Sequence, residues 1–218
     1  IRTRMFWRRT IPTFVGVVMA EIQASQGNRG QFGPEVWIAG ARKLLVTKSI
    51  DAVRVEALAK EMGVTKGSFY WHFKDREDLL RRMLTAWRDE ATEQIIFRFE
   101  SRGLPARELI RDLLSLPFHG VAAQEAAATE LAIRAWARRD EMARTIVDEV
   151  DAKRLSYIAQ CFSALGYGIA EARSRAFVLY SYELSESLLS DQGTPTQKAE
   201  RRTFVEKLLI EPCAGGSI

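Results

Sequence analysis

The fold class expected from the amino-acid sequence is all-α, with a small N-terminal domain of three helices followed by a larger helical domain. Apolar residues recur at helical spacing along most of the 218 residues. Capping residues, glycines and prolines divide these periodic segments, and none shows the alternation of apolar and polar side chains typical of a half-buried strand. We expect a helix-turn-helix domain over 34–80 and a second domain over 81–211, flanked by segments 1–33 and 212–218.

Composition and charge narrow the class of protein. Hydrophobic residues make up 47% and charged residues 28% of the chain, which is typical of a soluble globular protein. The net charge of +4 is unevenly divided: residues 1–82 carry 15 basic and 8 acidic side chains, whereas residues 83–218 carry 17 and 20. This distribution is expected if only the first part of the chain contacts phosphates.

The cysteines and histidines are too few for a disulfide framework or a Cys/His metal site. Cys161 and Cys213 lie far apart, and the histidines are His72 and His119. The sequence therefore predicts a reduced, cytoplasmic protein without a metal or other cofactor.

The first 33 residues allow several interpretations. Four arginines precede an apolar run over 11–20, which weakly resembles a signal peptide and is too short to span a bilayer. We favour a disordered arm, or an upstream segment before a true start at Met19, over export. An arm of this kind would place its arginines along a nucleic-acid backbone.

The first helix is expected from Pro34 to about Lys48. Proline suits the first turn of a helix, and Trp37 is expected in the core. The inward face is formed by apolar residues at helical spacing, namely Val36, Ala39, Leu44 and Leu45.

Two short helices joined by a tight turn are expected next. The first covers 55–62, and its apolar residues share one face: Val55, Leu58, Ala59 and Met62. Gly63 ends this helix, Val64 fills the turn, and Thr65 is a good N-cap for a second helix over 65–74.

The second of these short helices, over 65–74, has a buried stripe and an unusual outer face. Phe69 and Phe73, four residues apart, are expected to point inward. The opposite side combines a glycine, hydroxyls, cations and large aromatic rings: Lys66, Gly67, Ser68, Tyr70, Trp71, His72 and Lys74. Such a face suits the major groove of DNA, because glycine permits close approach, cations and hydroxyls reach phosphates, and an indole edge can pack on a thymine methyl. The N-terminus of this helix adds backbone donors for phosphate.

Asp75 is expected to cap the helix that follows, with Asp78 three residues further on. From periodicity alone, an ordinary αα-hairpin with a largely buried aromatic helix is an equally good interpretation of the segment.

A resemblance decides between these two interpretations. The run over 63–80, GVTKGSFYWHFKDREDLL, closely resembles the recognition segment of the TetR/AcrR family of transcriptional regulators. The matching positions are Gly63, Val64, Thr65, Gly67, Ser68, Phe69, Tyr70, His72, Phe73, Asp75, Arg76 and Leu79. The resemblance implies a set of DNA-contacting residues: Arg54, Thr65, Lys66, Gly67, Ser68, Tyr70, Trp71, His72, Lys74 and Arg76. Arg54 occupies a position where the family commonly has Ser or Thr.

The remainder of the chain is expected to be helical. A long helix from Arg76 to about Phe99 is followed by a break over 101–105. Its buried side is expected to contain Leu79, Leu80, Met83, Leu84, Trp87, Ala91, Ile95 and Phe99. Further helices are expected at about 106–116, 121–138, 140–165, 169–190 and 196–210. Asp140 is the expected N-cap of one of them.

The resemblance also implies a homodimer and a small-molecule effector. In the family the last two helices pair with those of a second subunit, here those near 170–190 and 196–210. Their candidate contact residues are Phe177, Val178, Tyr180, Ser181, Leu184, Leu188 and Leu189 in the first and Phe204, Leu208 and Leu209 in the second. Burial of these faces within one subunit is the alternative.

Aromatic residues are the candidates to line an effector pocket in the second domain. They are Trp87, Phe118, Trp136 and Phe162, with Phe97 and Tyr167 as further possibilities. The simpler interpretation is that most of them form ordinary core, and a regulator without an effector is also possible.

The expected function is that of a homodimeric, ligand-responsive repressor that binds a pseudo-palindromic DNA operator. The alternatives are an activator of the same family and a sequence-tolerant architectural DNA-binding protein. An enzyme is disfavoured, because we find no nucleophile elbow, phosphate-binding glycine loop or metal motif. No membrane association is expected.

Overall fold

The computed structural model describes residues 33–118 and 120–211, and within these ranges the chain is helical with no β-strand. The all-α class is therefore confirmed. The expectations for the N-terminal arm, for His119 and Cys213 and for the tail lie outside the described residues. Among the described helices, none is both long enough and apolar enough to cross a membrane.

The chain forms two compact units that divide between Thr85 and Ala86. The first unit contains helix α1 (Pro34–Thr47), a 3-10 turn (Ile50–Ala52), α2 (Val55–Met62), α3 (Lys66–Tyr70) and the first part of α4 (Arg76–Arg88). The bounds of α1 and α2 agree with the sequence-based expectation.

An aromatic cluster forms the centre of the first unit. The ring of Trp37 on α1 meets the ring of Phe69 edge-on, with centroids 5.3 Å apart, and Phe69 stacks on Phe73 at 5.1 Å. All three side chains are buried. The predicted inward stripe of α3 is therefore confirmed, and it is Trp37 that completes the core on the opposite side.

Helix α1 packs closely against α2 at Gly40. A Cβ atom built at Gly40 would lie 3.4 Å from Cδ2 of Leu58, at the limit of ordinary contact. Ala39, which was expected on the inward face, is only half-buried, whereas Ala41 is buried. The inward face of α1 is therefore rotated slightly from the one predicted.

The second unit begins within α4 and continues through a π-helical segment and six further helices in the described residues. They are the π segment (Asp89–Glu93), α5 (Gln94–Ser101), α6 (Ala106–Ser115), α7 (Gly120–Ala137), α8 (Glu141–Ala164), α9 (Ile169–Leu188) and α10 (Pro195–Ile210). A 3-10 turn over Leu116–Phe118 precedes α7. The approximate bounds of α6 to α10 agree with the sequence-based expectation.

The expected long helix from Arg76 to about Phe99 contains a π-helical segment that periodicity did not predict. The π segment adds a residue to one turn, so the buried position after Trp87 is Thr92 rather than Ala91. Ala91 and Ile95 are only half-buried, while Phe99 returns to the core. Hydrophobic periodicity fails here because it assumes 3.6 residues in every turn.

Side-chain caps fix the ends of two long helices. The carboxylate of Asp140 accepts a hydrogen bond from the amide of Ala143 at 2.9 Å, as predicted. At the start of α10, Thr194 and Gln197 cap each other reciprocally. The core of this unit includes Phe99, Ile110 and Phe162, with residues of α8, α9 and α10 around them.

Candidate nucleic-acid interface

The turn between α2 and α3 has the geometry expected of a helix-turn-helix. Gly63 adopts φ 69° and ψ 28°, a left-handed conformation that side chains with a Cβ atom rarely adopt. The amide of Val64 donates to the carbonyl oxygen of Ala59 at 2.9 Å, which satisfies an acceptor at the end of α2. The position of the glycine in the sequence is thus explained by the backbone conformation of the turn.

Helix α3, the second helix of the helix-turn-helix, is shorter than predicted. It covers Lys66–Tyr70 rather than 65–74, and the amides of His72 and Phe73 both donate to the carbonyl oxygen of Phe69 at 3.0 Å. These bonds close the last turn of α3. The residues after this turn form the N-terminal cap of α4. The carboxylate of Asp78 accepts a hydrogen bond from the amide of Lys74 at 3.1 Å, and the carboxylate of Asp75 accepts one from the amide of Asp78 at 2.8 Å.

The predicted capping role of Thr65 is only partly correct. Thr65 occupies the N-cap position of α3, but its side chain forms no capping hydrogen bond. Its carbonyl oxygen instead accepts from the hydroxyl of Ser68 at 2.8 Å. The Ser68 hydroxyl therefore already has one partner inside the domain.

Two large aromatic side chains project from the end of α3. Trp71 is 86% exposed and Tyr70 is 60% exposed, although Phe69 beside them is fully buried. Lys66, Gly67 and Lys74 are exposed on the same segment, whereas Ser68 and His72 are half-buried. Because burial of an aromatic ring normally stabilises a fold, two uncovered rings in adjacent positions indicate a contact surface.

Gly67 is not required by the fold. Its backbone is not in the left-handed region, and a Cβ atom there would meet only Oγ1 of Thr65, at an ordinary 3.6 Å. The exposed position therefore has room for a side chain within the domain. A reason for glycine at this position has to come from outside the domain, such as close approach of a ligand to the backbone.

Three basic residues that were expected to contact DNA have partners within the domain. The ammonium group of Lys66 contacts the carboxylate of Glu56 at 2.8 Å, and Nε of Arg54 donates to the carbonyl oxygen of Asp51 at 3.0 Å. Arg76 donates to two other carbonyl oxygens, from Nε to Val53 at 2.5 Å and from Nη2 to Ile50 at 2.9 Å.

Arg76 therefore ties the 3-10 turn to the start of α4. Its hydrogen bonds span 23 and 26 residues, so sequence spacing gave no signal for them.

Hydrogen bonds to basic side chains stabilise the ionised form of two acids in this unit. The hydrogen bond from Lys66 lowers the pKa of Glu56, and the hydrogen bond from Arg82 lowers the pKa of Asp78. Both carboxylates are therefore charged at neutral pH.

None of the four predicted pocket residues lines either of the two depressions found in the second unit. Trp87, Trp136 and Phe162 are buried, and Phe118 is half-buried under the guanidinium of Arg202, 5.5 Å from its ring. Of the two further candidates, Phe97 is exposed and Tyr167 is packed under the guanidinium of Arg175 at 4.1 Å.

Two small depressions in the second unit have other linings. One, of about 180 Å³, lies beside the π segment between Arg88 and Lys153. The other, of about 250 Å³, lies between the end of α5 and α8, near Tyr157 and Cys161. Within the described residues, no group of three or more Asp, Glu, His and Cys side chains is arranged to hold a metal ion.

Sequence reasoning missed a partly buried polar network in the second unit. It joins α7, α8 and α9 through the side chains of Glu130, Arg134, Asp151, Arg154 and Tyr180. Arg134 Nη1 contacts Asp151 at 3.0 Å, and the Tyr180 hydroxyl donates to Asp151 at 2.6 Å. The i, i+4 pair of Glu130 and Arg134 was the one signal in the sequence, and it is equally typical of an exposed helix face.

Glu183 borders this network from α9. Burial raises its pKa to about 8, against the opposing effect of Arg154, and Glu130 raises it further. Its Oε1 atom is buried without a hydrogen-bond partner among the described residues. A protonated carboxyl group is therefore favoured at neutral pH.

Comparison with known proteins agrees with the geometry of the first unit, which is that of a helix-turn-helix DNA-binding domain. Residues 38–83 match the family model described as "Bacterial regulatory proteins, tetR family". The match lies within the first unit, and over these residues the chain is similar to the TetR family of helix-turn-helix regulators.

Sequence relatives match the first part of the chain. An HTH-type transcriptional repressor of Mycobacterium tuberculosis is 38% identical over 69 residues, which are 32% of this chain and 25% of that protein. The uncharacterised regulator YuxN of Bacillus subtilis is 30% identical over 84 residues, which are 38% of this chain and 28% of that protein. The chain therefore matches only about a quarter of the length of these relatives.

Solved structures match most of the chain and share its fold. A putative TetR-family regulator from Rhodococcus sp. superposes with a TM-score of 0.63 at 20% identity, covering 82% of this chain and 98% of that one. The regulator FadR of Bacillus subtilis, in complex with stearoyl-CoA, gives a TM-score of 0.57 at 19% identity, covering 80% and 96%. At these identities the likeness concerns the fold alone.

Proposed function

We propose that this protein is a homodimeric, ligand-responsive transcriptional repressor that binds a pseudo-palindromic operator through α3 and the turn after it. The observation that carries the proposal is the exposure of Trp71 and Tyr70 directly beside the buried Phe69. A helix-turn-helix that keeps its inner stripe buried and leaves two aromatic rings uncovered is suited to a major groove.

The surface residues divide by the contacts that their chemistry permits. Trp71 is assigned to base edges, where its indole can pack on a thymine methyl group, and Gly67 to close approach of the backbone. Tyr70, Lys74 and His72 are assigned to phosphates, which position the domain without reading sequence.

The other predicted contact residues have weaker support. Thr65 and Ser68 lie at the edge of the same surface, and Arg54 retains its outer guanidinium nitrogens for a phosphate. Arg76 is better explained as a support for the turn before α2, because both of its described hydrogen bonds hold backbone carbonyls.

Dimerisation is supported by uncovered apolar side chains on the last two helices. Phe177 on α9 and Phe204 on α10 are 63% and 68% exposed, and the other exposed members are Val178, Leu188, Leu189 and Leu208. On α9, residues 177, 181, 184 and 188 have the spacing of one helical face. A two-fold pairing of these faces would give the protein two DNA-binding domains for the two halves of an operator.

Two residues of the expected dimer seam are buried within the single chain. Tyr180 is buried with its hydroxyl in the polar network, and Leu209 is buried in the core near the end of α10. The hydrophobic pattern predicted them because periodicity cannot separate the face that a helix turns to its own subunit from the face that it turns to a partner.

Response to a small molecule rests on weaker support than DNA binding. FadR, which shares the fold, has been crystallised with stearoyl-CoA. A similar effector role here requires a ligand that binds the DNA-competent and DNA-incompetent conformations with different affinities. The proposal assigns no reaction and no cofactor to the chain.

Selection from random duplex DNA tests the proposal directly. Purified full-length protein is expected to enrich a pseudo-palindromic site and to bind it as a dimer, with bulk DNA competing poorly. Enrichment of no sequence, together with binding that disappears as salt rises, would instead define a sequence-tolerant DNA-binding protein. Reporter expression from a promoter that overlaps the selected site distinguishes repression from activation.

A further inference from the structure

An acidic residue forms an ion pair with the lysine at the start of the DNA-facing helix. Glu56, the second residue of α2, places Oε1 2.8 Å from Nζ of Lys66, the first residue of α3. Both side chains are exposed, at 62% and 58%, so the pair lies on the surface rather than in the core. A phosphate oxygen would therefore compete with Glu56 for the same ammonium group.

The position of Glu56 relates it to a second predicted phosphate contact. Arg54 precedes α2 by one residue, and its charge also helps to lower the pKa of Glu56, after the larger effects of Lys66. The carboxylate is thus held in the field of two cations that were expected to contact the DNA backbone. An anion held there resembles a bound phosphate in charge and in acceptor chemistry.

We propose that Glu56 acts as an intramolecular substitute for a DNA phosphate: it holds Lys66, prevents that lysine from contributing to backbone binding, and so limits the affinity of the domain for DNA in general. The inference rests on the proposed function, because it presupposes that α3 faces DNA. It adds to that function a residue, Glu56, that limits the contribution of non-specific contacts to the DNA backbone.

The physical basis is the dependence of DNA affinity on the number of phosphates neutralised. Each neutralised phosphate steepens the fall of log K with log salt concentration by about 0.9. A lysine that remains paired with Glu56 in the complex releases no counterion from DNA. Excess backbone affinity is undesirable in a sequence-specific protein, since it strengthens binding to every competing site equally.

The chain offers a matched control for the key substitution. Glu61 lies on the same helix and forms an ion pair with Lys43 of α1 at 3.1 Å, away from Lys66. Glu56→Gln and Glu61→Gln remove the same charge from the same helix, but only the first releases Lys66. Lys66→Gln is then made in the wild-type and in the Glu56→Gln background.

Binding of full-length protein to a duplex of random sequence is measured by fluorescence anisotropy at several salt concentrations. Glu56→Gln is expected to bind about two- to fivefold more tightly at low salt, the size of an exposed ion pair, and to steepen the salt slope by about 0.9 per domain. Glu61→Gln is expected to leave the slope unchanged. Lys66→Gln is expected to change the slope little in the wild type and to reverse the increase in the Glu56→Gln background.

Equal effects of Lys66→Gln on the slope in both backgrounds would overturn the inference, because Lys66 would then contact phosphate despite Glu56. Equal slopes for Glu56→Gln and Glu61→Gln would overturn it as well. Failure of the proposed function has a different signature, namely that the wild-type protein and all variants fail to bind the selected or the random duplex.

Discussion

The guanidinium group of Arg154 joins the π segment to the polar network, because Nη2 donates to the carbonyl oxygen of Ala91 at 3.0 Å while Nη1 contacts the carboxylate of Glu130 at 3.0 Å. A π turn interrupts the regular i to i−4 hydrogen bonds of a helix. Arg154 supplies a donor at this interruption and thereby fixes the wide turn against α7 and α8.

Removal of Arg154 is therefore expected to destabilise the second unit strongly. Arg154→Met leaves Glu130 in a largely buried position without one of its cations, and we expect the free energy of unfolding in urea to fall by about 3 kcal/mol. Arg81→Met is the control, since it breaks an exposed i, i+4 pair with Glu77 and should change that free energy by about 0.5 kcal/mol or less. Similar losses for the two variants would contradict a structural role for the network.

Glu183, a half-buried acid whose Oε1 atom is shielded from solvent, is expected to make stability depend on pH. Its pKa is raised from 4.5, the value for an exposed glutamic acid, to about 8. Between these values the native state retains a proton that the unfolded state has lost, so the free energy of unfolding falls as pH rises from about 5 to about 8.

Glu183→Gln removes this titration and isolates its effect. The stability of the variant relative to wild type should increase as pH rises through that window and become constant above it. Urea unfolding of both proteins from pH 5 to pH 9 provides the measurement, and a pH-independent difference would show that Glu183 is ionised in the native protein.

Substitution of Trp71 is expected to reduce discrimination between DNA sequences. Trp71→Ala should lower the preference for the selected operator over a mutated one by about 1–3 kcal/mol, the contribution of one base contact. Lys74→Ala is the contrast, because loss of a phosphate contact should weaken both complexes equally and reduce the salt slope. Unchanged discrimination in Trp71→Ala would rule out base contact by the indole.

Gly67→Ala separates the requirements of the fold from those of DNA binding. Alanine is compatible with the backbone at this position and favours helix, so the free energy of unfolding should stay unchanged or rise by up to about 1 kcal/mol. The affinity for operator DNA should fall, because the added methyl group separates the helix from the groove. Retention of full DNA affinity would mean that the backbone does not approach DNA closely at Gly67.

A charge on the exposed face of α10 is expected to prevent dimerisation. Phe204→Glu should convert the dimer to a monomer in size-exclusion chromatography with light scattering, and operator affinity should fall by about 100-fold with the loss of bivalent binding. Phe97→Glu is the matched control, because Phe97 on α5 is equally exposed, at 70%, but lies on neither of the last two helices. If Phe204→Glu remains dimeric, the seam lies elsewhere.

The helix-turn-helix was predictable because its determinants are local. Gly63 is required by a left-handed turn between two short helices, and Phe69 and Phe73 are four residues apart on one face. Each of these relationships lies within one turn or one helix. The same applies to Asp140 and Thr194, whose side chains cap the helices that they begin.

The partners of the charged residues were not predictable. Arg76 and Lys66 were both expected to contact DNA, and the structure adds partners within the domain: Arg76 donates to the carbonyl oxygens of Val53 and Ile50, and Lys66 forms an ion pair with Glu56. A long side chain reaches several groups of similar chemistry, and its choice depends on how helices pack. The length of α3 was overestimated for a related reason, since the carboxylate of Asp78 takes the amide of Lys74, which would have continued the helix.

The sequence by itself determined the helical class, the order of the helices and the outward position of Trp71, because periodicity and capping act within a few residues. Tertiary structure alone decided which apolar faces are covered, where the π turn lies and which charges are paired. Tyr180 illustrates the difference: its place on α9 follows from the local pattern, but its burial with Asp151 depends on contacts 29 residues apart. Such contacts form only when the helices pack, and their geometry is not contained in any single helix.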